Sequence, residues 1–137
     1  MNDMYRAIAE SCATDNRIHA AYVIGSSVRQ NVSPESDFDL AVVVQNAHSM
    51  TQDHVYELIR HISFPRDLDL SVVDTASSPL FLFQIVRDGK VIYEVSQQAR
   101  MQFEAYALHT YYDTAHIRNI YAQYLPERFL QSGCPWV

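Results

Sequence analysis

A chain of 137 residues that is 48% hydrophobic has enough material for one packed domain and too little for two, and is too apolar to stay globally disordered. Its longest purely apolar runs are short, as in Leu40-Ala41-Val42-Val43-Val44, which excludes a membrane-spanning helix. The formal charge of −6 excludes a long nucleic-acid tract as the direct partner, because such binding needs a basic face, yet it admits one nucleotide whose charge a metal neutralises.

The opening Met1-Asn2-Asp3-Met4-Tyr5-Arg6 lacks the basic and apolar blocks of a signal peptide. Residues 3–14 read as a helix, with Met4, Ala7 and Ile8 at helical spacing. His19 to Ile24 is a β-branched and aromatic run ending at Gly25, the pattern of a buried strand. Ser27 to Gln30 then begins a short helix, and Asn31 to Ser36, with Pro34, is a loop. Asp37 to Gln45 is the clearest strand: Phe38, Leu40, Val42 and Val44 share one face, and Asp37, Asp39, Ala41 and Val43 the other. Ser49 with Gln52 resembles a capping box ahead of an amphipathic helix carried by Val55, Leu58, Ile59 and Ile62. Leu68 to Val73 is a second strand. Ser78-Pro79 supplies an N-cap and first-turn proline for a helix through Val86, with Gly89 to end it and Lys90 to Glu94 as a short edge strand.

From Ser96 the pattern turns helical: Ala99, Phe103, Tyr106, Thr110, Ile117, Tyr121 and Tyr124 keep helical spacing up to Pro126, in two segments. Strands and helices followed by helices alone indicate an α/β core, residues 1–95, with a helical C-terminal extension, residues 96–137, packed on it as a single domain. Cys12 and Cys134 read as free thiols in a reducing cytoplasm. His54/His61 and His109/His116 are spaced by seven, without the i, i+4 spacing that chelates zinc, and read as surface histidines. The aromatic tail is open to two readings, a core stripe or a surface for a partner.

The chemistry concentrates between Gly25 and Leu40. Gly25 permits a sharp turn and the close approach of a phosphate. Ser26 offers a hydroxyl and an N–H at a helix start, with Ser27 beside it, where anions are favoured. Arg29 brings a forked permanent cation to the same place. Asp37 and Asp39, two apart on a strand, project from one face. Carboxylates that close repel, and a divalent cation relieves the repulsion; oxygen-only ligands suit magnesium better than zinc. A phosphate cradle facing a metal clamp equips a site for phosphoryl or nucleotidyl transfer. A third carboxylate is expected on the neighbouring strand. Asp67, Asp69 and Asp74 are available; Asp69 is preferred because it shares a face with Ser71 and Val73, and Asp67 remains its rival.

Gly25-Ser26, ten residues, then Asp37-x-Asp39 resembles the Gly-Ser-x10-Asp-x-Asp signature of the minimal nucleotidyltransferase (MNT) family. The match extends through Arg29, Pro34, Ser36-Asp37 and the following apolar strand, with Gln30 standing where the family usually has glycine. The resemblance implies a polymerase-β-like core, a mixed sheet flanked by helices, over roughly residues 18–95. It implies ATP as substrate, two Mg2+ ions held by Asp37, Asp39 and Asp69, and phosphates held by Gly25, Ser26, Ser27 and Arg29. Arg100, Phe103, Tyr112 and Asp113 resemble the extension of the MntA-like antitoxin branch. That branch implies transfer of AMP to a tyrosine of a HEPN ribonuclease toxin within a hetero-oligomer in the cytoplasm. A chain this short, with little room for an acceptor domain, fits an acceptor supplied by a partner. Two rival expectations are a small-molecule acceptor of the aminoglycoside type and an antitoxin that acts by occlusion alone.

Overall fold

In the computed structural model the described residues are 2–24, 38–64 and 67–132, with side chains for 3–24, 38–64 and 67–123. In chain order the elements are α1 (Asn2–Cys12), β1 (Ile18–Ile24), β2 (Phe38–Val44), α2 (Gln52–Ile59), β3 (Leu68–Val73), α3 (Pro79–Asp88), β4 (Lys90–Glu94), α4 (Gln97–Asp113) and α5 (Ala115–Ser132). The described strands form a four-stranded mixed sheet in the order β3-β2-β1-β4. β1 runs antiparallel to β2 and β4, while β2 and β3 are parallel and joined through α2. Among the described residues no helix is long and apolar enough to cross a membrane.

Alternation along β2 divides the core into two layers, because successive side chains of a strand point to opposite faces. Phe38, Leu40, Val42 and Val44 join Ile8 and Cys12 of α1 and Val55 and Ile59 of α2. Ala41 and Val43 join Leu82 and Ile85 of α3 and Phe103 and Ala107 of α4. β1 serves both layers through a register shift between Ile18 and Ala20. The extra residue of such a bulge reverses the alternation, so Ile18 lies in the first layer with Ala21 and Val23, whereas Ala20 and Tyr22 lie in the second. The Cys12 thiol is buried, and desolvation pushes its pKa up to about 12.

Helix ends follow local chemistry, with two departures from the sequence pattern. α2 is capped by Thr51, not Ser49: the Thr51 hydroxyl accepts from the His54 N–H, and His54 Nδ1 accepts from the Thr51 N–H at 3.3 Å. Ser49 is engaged elsewhere, donating its hydroxyl to the Asn46 carbonyl in the preceding turn. α5 continues through Pro126 to Ser132, since an internal proline removes one backbone donor and can kink a helix without ending it. α4 is capped by Ser96, whose hydroxyl accepts from Ala99 N–H at 3.0 Å. It is tied to β4 by Arg100, which bridges Glu94 and Glu104. The Tyr22 hydroxyl is buried beneath this bridge; desolvation first, then the Glu104 charge, push its pKa above the ordinary phenol range.

Two tests follow from these junctions. Gly89 ends α3, and a Cβ there would lie 2.4 Å from the Ile85 carbonyl oxygen and 3.2 Å from Tyr22 Cβ. Gly89→Ala is therefore expected to cost about 1–3 kcal/mol as an overpacked junction, read as a lower urea midpoint. In the α1–β1 turn, hydrogen bonds from the Arg17 side chain and backbone hold the Asp15 carboxyl down from 3.8 to about 2. A depressed carboxyl stabilises the fold above its unfolded pKa and ceases to do so as pH falls through the folded one. The stability gap between the native chain and Asp15→Asn should thus be full above about pH 4 and vanish only below about pH 2 in denaturation series across that range.

Candidate functional site

The ends of three adjacent strands frame the candidate site. Ile24, the last residue of β1, is paired with Asp39 of β2, and Asp39 is paired with Asp69 of β3. The three positions stand abreast, each about 4.8 Å from the next across the ladder. Their facing is set by what packs beneath. Phe38 is buried between the rings of Tyr5 (6.5 Å) and Phe64 (5.4 Å), and its N–H donates to the Asp67 carbonyl at 2.8 Å. Phe38 pointing into the first layer obliges Asp39 to point to the other face. Parallel pairing brings Asp69 to the same face, with Ser71 and Val73 following it.

Both carboxylates border a cavity of about 180 Å³ lined also by Ile24, Leu40, Ser71 and Phe81 of α3. Asp39 is half-buried and Asp69 exposed on the sheet edge. Two carboxylates on neighbouring strands form an oxygen-only donor pair, which a hard divalent cation such as Mg2+ suits. Among the described residues, no group of three His, Cys, Asp or Glu side chains is placed to hold a metal. The expected ligand Asp37 and the expected phosphate contacts Gly25, Ser26, Ser27 and Arg29 lie outside the described residues, as do the expected short helix Ser27–Gln30 and loop Asn31–Ser36. In sequence the Gly25-Ser26 segment leaves directly from Ile24, at the opposite side of Asp39 from Asp69.

The other two acids considered for this position are placed differently. Asp67 precedes β3 and gives its carbonyl to the ladder. Asp74 lies beyond the far end of β3, where its carboxylate accepts from the Ala47 and Ala76 N–H groups, each at 2.9 Å. Phe81 had no signal in the sequence as a site residue, because an α3 side chain reaches the acids only through tertiary packing. Ser71 was legible only as the face-mate of Asp69.

The tail residues divide. Phe103 is buried and meets Tyr22 at 6.0 Å, and Arg100 forms the bridge to Glu94 and Glu104. Tyr112 is 65% exposed, with its edge to Phe83 and Tyr111, and Asp113 closes α4 in an exposed position. His54, His61, His109 and His116 are all exposed.

Comparison with known proteins adds the following. A family model described as Polymerase beta, Nucleotidyltransferase matches residues 6–98. No curated protein matches the chain significantly. Among solved structures, one chain of a toxin–antitoxin complex with AMP-PNP superposes with a TM-score of 0.67 at 22% identity, over 88% of this chain and 98% of that one. A complex of the tri-AMPylated Shewanella oneidensis HEPN toxin with its MNT antitoxin gives 0.63 at 20% identity, over 91% and 99%. Spectinomycin adenyltransferase AAD(9) from Enterococcus faecialis, with ATP and spectinomycin, gives 0.51 at 17%, over 69% of this chain and 56% of that one. At such identities these likenesses concern the fold.

The assignment of Asp74 to structure and not to the site is testable. Asp74→Ala leaves two N–H groups without their acceptor and should cost about 1–3 kcal/mol, while nucleotide binding measured on the folded variant stays unchanged.

Proposed function

The chain belongs to the polymerase-β nucleotidyltransferase family, and from that premise we propose that it is an antitoxin that transfers AMP from ATP to a tyrosine of a partner HEPN ribonuclease toxin, silencing it. The observation that carries this reading is the row Ile24–Asp39–Asp69, which sets two carboxylates beside the strand end from which the Gly25-Ser26 segment departs. The neighbours that this chain resembles over nearly the whole length of both are chains of toxin–antitoxin complexes, one with AMP-PNP and one with an AMPylated toxin. The resemblance to the spectinomycin enzyme reaches only 56% of that chain, which weighs against a small-molecule acceptor. Residues 1–95 are the catalytic core in this reading, and 96–137 the extension that serves the partner.

The roles of Gly25, Ser26, Ser27, Arg29 and Asp37 follow from the sequence motif, and those of Asp39 and Asp69 are supported by their pairing. Gly25, Ser26, Ser27 and Arg29 bind the triphosphate. Asp37, Asp39 and Asp69 are the residues that would hold Mg2+, and Asp39 and Asp69, abreast on one face with oxygen donors alone, fit it. Bound there, Mg2+ supplies charge neutralisation for the phosphates and acidifies the attacking hydroxyl. Asp69, the more exposed of the described pair, accepts the proton in this reading as the acceptor oxygen bonds to the α-phosphorus. Pyrophosphate leaves with the electron pair of the broken bond.

The chain and its co-expressed HEPN partner, incubated with ATP and Mg2+ and read by mass spectrometry, should yield toxin carrying AMP on tyrosine. Asp39→Asn and Asp69→Asn should each lower the rate by about 100-fold or more, the scale on which removal of one preorganised electrostatic group is felt, with circular dichroism and melting unchanged. Undiminished labelling by Asp39→Asn would refute the site.

A further inference from the structure

The cavity at the acidic pair does not end at Asp69. A second hollow, of about 380 Å³, shares two of its walls, Ser71 on β3 and Phe81 on α3. From that shared threshold it continues past Leu70 and Val73 to Gln52 and Ser77, forming a trough that starts at the carboxylates. β3 is an edge strand, paired among the described residues with β2 alone, and Gln52 Nε2 donates to the Leu70 carbonyl at 2.6 Å. The described lining of this second hollow carries no charged side chain. It is a surface of aliphatic, hydroxyl, amide and aromatic groups, poorly matched to a triphosphate and well matched to a neutral segment that brings a ring or a hydroxyl.

Direction decides what occupies it. In nucleotidyl transfer the attacking and leaving oxygens lie roughly in line through the phosphorus. The row Ile24–Asp39–Asp69 fixes an axis across the sheet end, about 10 Å long over two strand spacings. On the reading above, the phosphates sit toward Ile24, so pyrophosphate departs on that side and the nucleophile must arrive from the Asp69 side. The trough runs along β3, the strand on that side of Asp39, and meets the acid cavity at Ser71 and Phe81.

We propose that this trough is the acceptor subsite, seating the segment of the partner protein that carries the attacking hydroxyl, with its side chain against Phe81 and the hydroxyl delivered to Asp69. The proposal rests on the protein-acceptor reading and adds where the acceptor binds. In the step, the acceptor oxygen–phosphorus bond forms, the bond from the α-phosphorus to the bridging oxygen breaks, pyrophosphate takes the electron pair, and the acceptor proton passes to Asp69.

The test uses the complete chain with its HEPN partner and ATP. Phe81→Ala and Ser71→Ala should raise the KM for the toxin about tenfold, the effect of truncating a contact residue at a protein interface. The KM for ATP, and the affinity for a fluorescent ATP analogue, should stay within about twofold. Phe81 also packs on the Leu82 and Ile85 cluster, so Phe81→Leu, which keeps apolar bulk and removes the ring, is measured beside it and should show the same split. Wild-type labelling with the toxin KM unmoved in all three variants overturns the acceptor subsite and leaves the transferase reading standing. Weakened binding of the ATP analogue with the toxin KM unmoved overturns it in favour of a nucleotide subsite. A wild-type chain that labels no toxin overturns both.

Discussion

The parallel register between β2 and β3 is the constraint on which the site depends. A strand has a side-chain period of two, so a slip of one residue would send Asp39 into the layer beneath the sheet and bring Phe38 to the cavity. Burying an unpaired carboxylate while exposing an aromatic ring is heavily unfavourable on both counts. Phe38 therefore does for Asp39 what Asp39 cannot do for itself. Its ring is held between Tyr5 of α1 and Phe64 beyond α2, and its N–H closes the ladder at Asp67. The acids face outward because a neighbouring residue is locked inward.

The same logic explains why the site sits at this end of the sheet. β2 and β3 both begin here, and β1 ends here, so short polar residues can occupy the rim without disturbing the apolar middle of the strands. At the opposite end Asp74 spends its carboxylate on two backbone N–H groups and ties the turn after β2 to the turn after β3. One acid on each end of β3 thus has a different task, and hydrogen bonding separates them where residue type does not. α3 closes the second face. The close approach of Gly89 to Tyr22 sets how tightly α3 folds back into β4.

Much of this was legible in the sequence, and what was not has physical reasons. Apolar alternation in β2 revealed the strand and its two faces, and Asp69, the acid preferred by face, lies opposite Asp39 in the ladder. Register itself was not readable, because pairing between β2 and β3 is fixed by packing across α2, far apart in sequence. The cap of α2 was misplaced by two residues: Ser49 and Thr51 are both good caps, and Asn46 engages Ser49 through a turn that local propensity does not rank. Pro126 looked like a stop and is carried within α5. The position of Phe81 beside the acids lay beyond sequence, since nothing in the α3 pattern says which face meets a cavity.

The aromatic tail divides between buried and exposed positions, residue by residue. Phe103 and Ala107 are core, whereas Tyr112 and Ile117 are 65% and 53% exposed. Between them lies a layered stack: Arg87 over Phe83, Phe83 on Tyr111 at 3.8 Å, and Arg118 over Tyr111 at 3.8 Å. Arg118 is held there by hydrogen bonds to the Tyr111 carbonyl and the Thr114 hydroxyl, so the stack spans α3, α4 and the start of α5. Tyr106 adds a bond from its hydroxyl to the Thr75 carbonyl, just ahead of α3. α3 therefore carries Phe81 at the acids and Phe83 in the tail stack two residues later. α3 thus lies between the acid cavity and the tail stack, beside the direct packing of Phe103 on Tyr22 of β1.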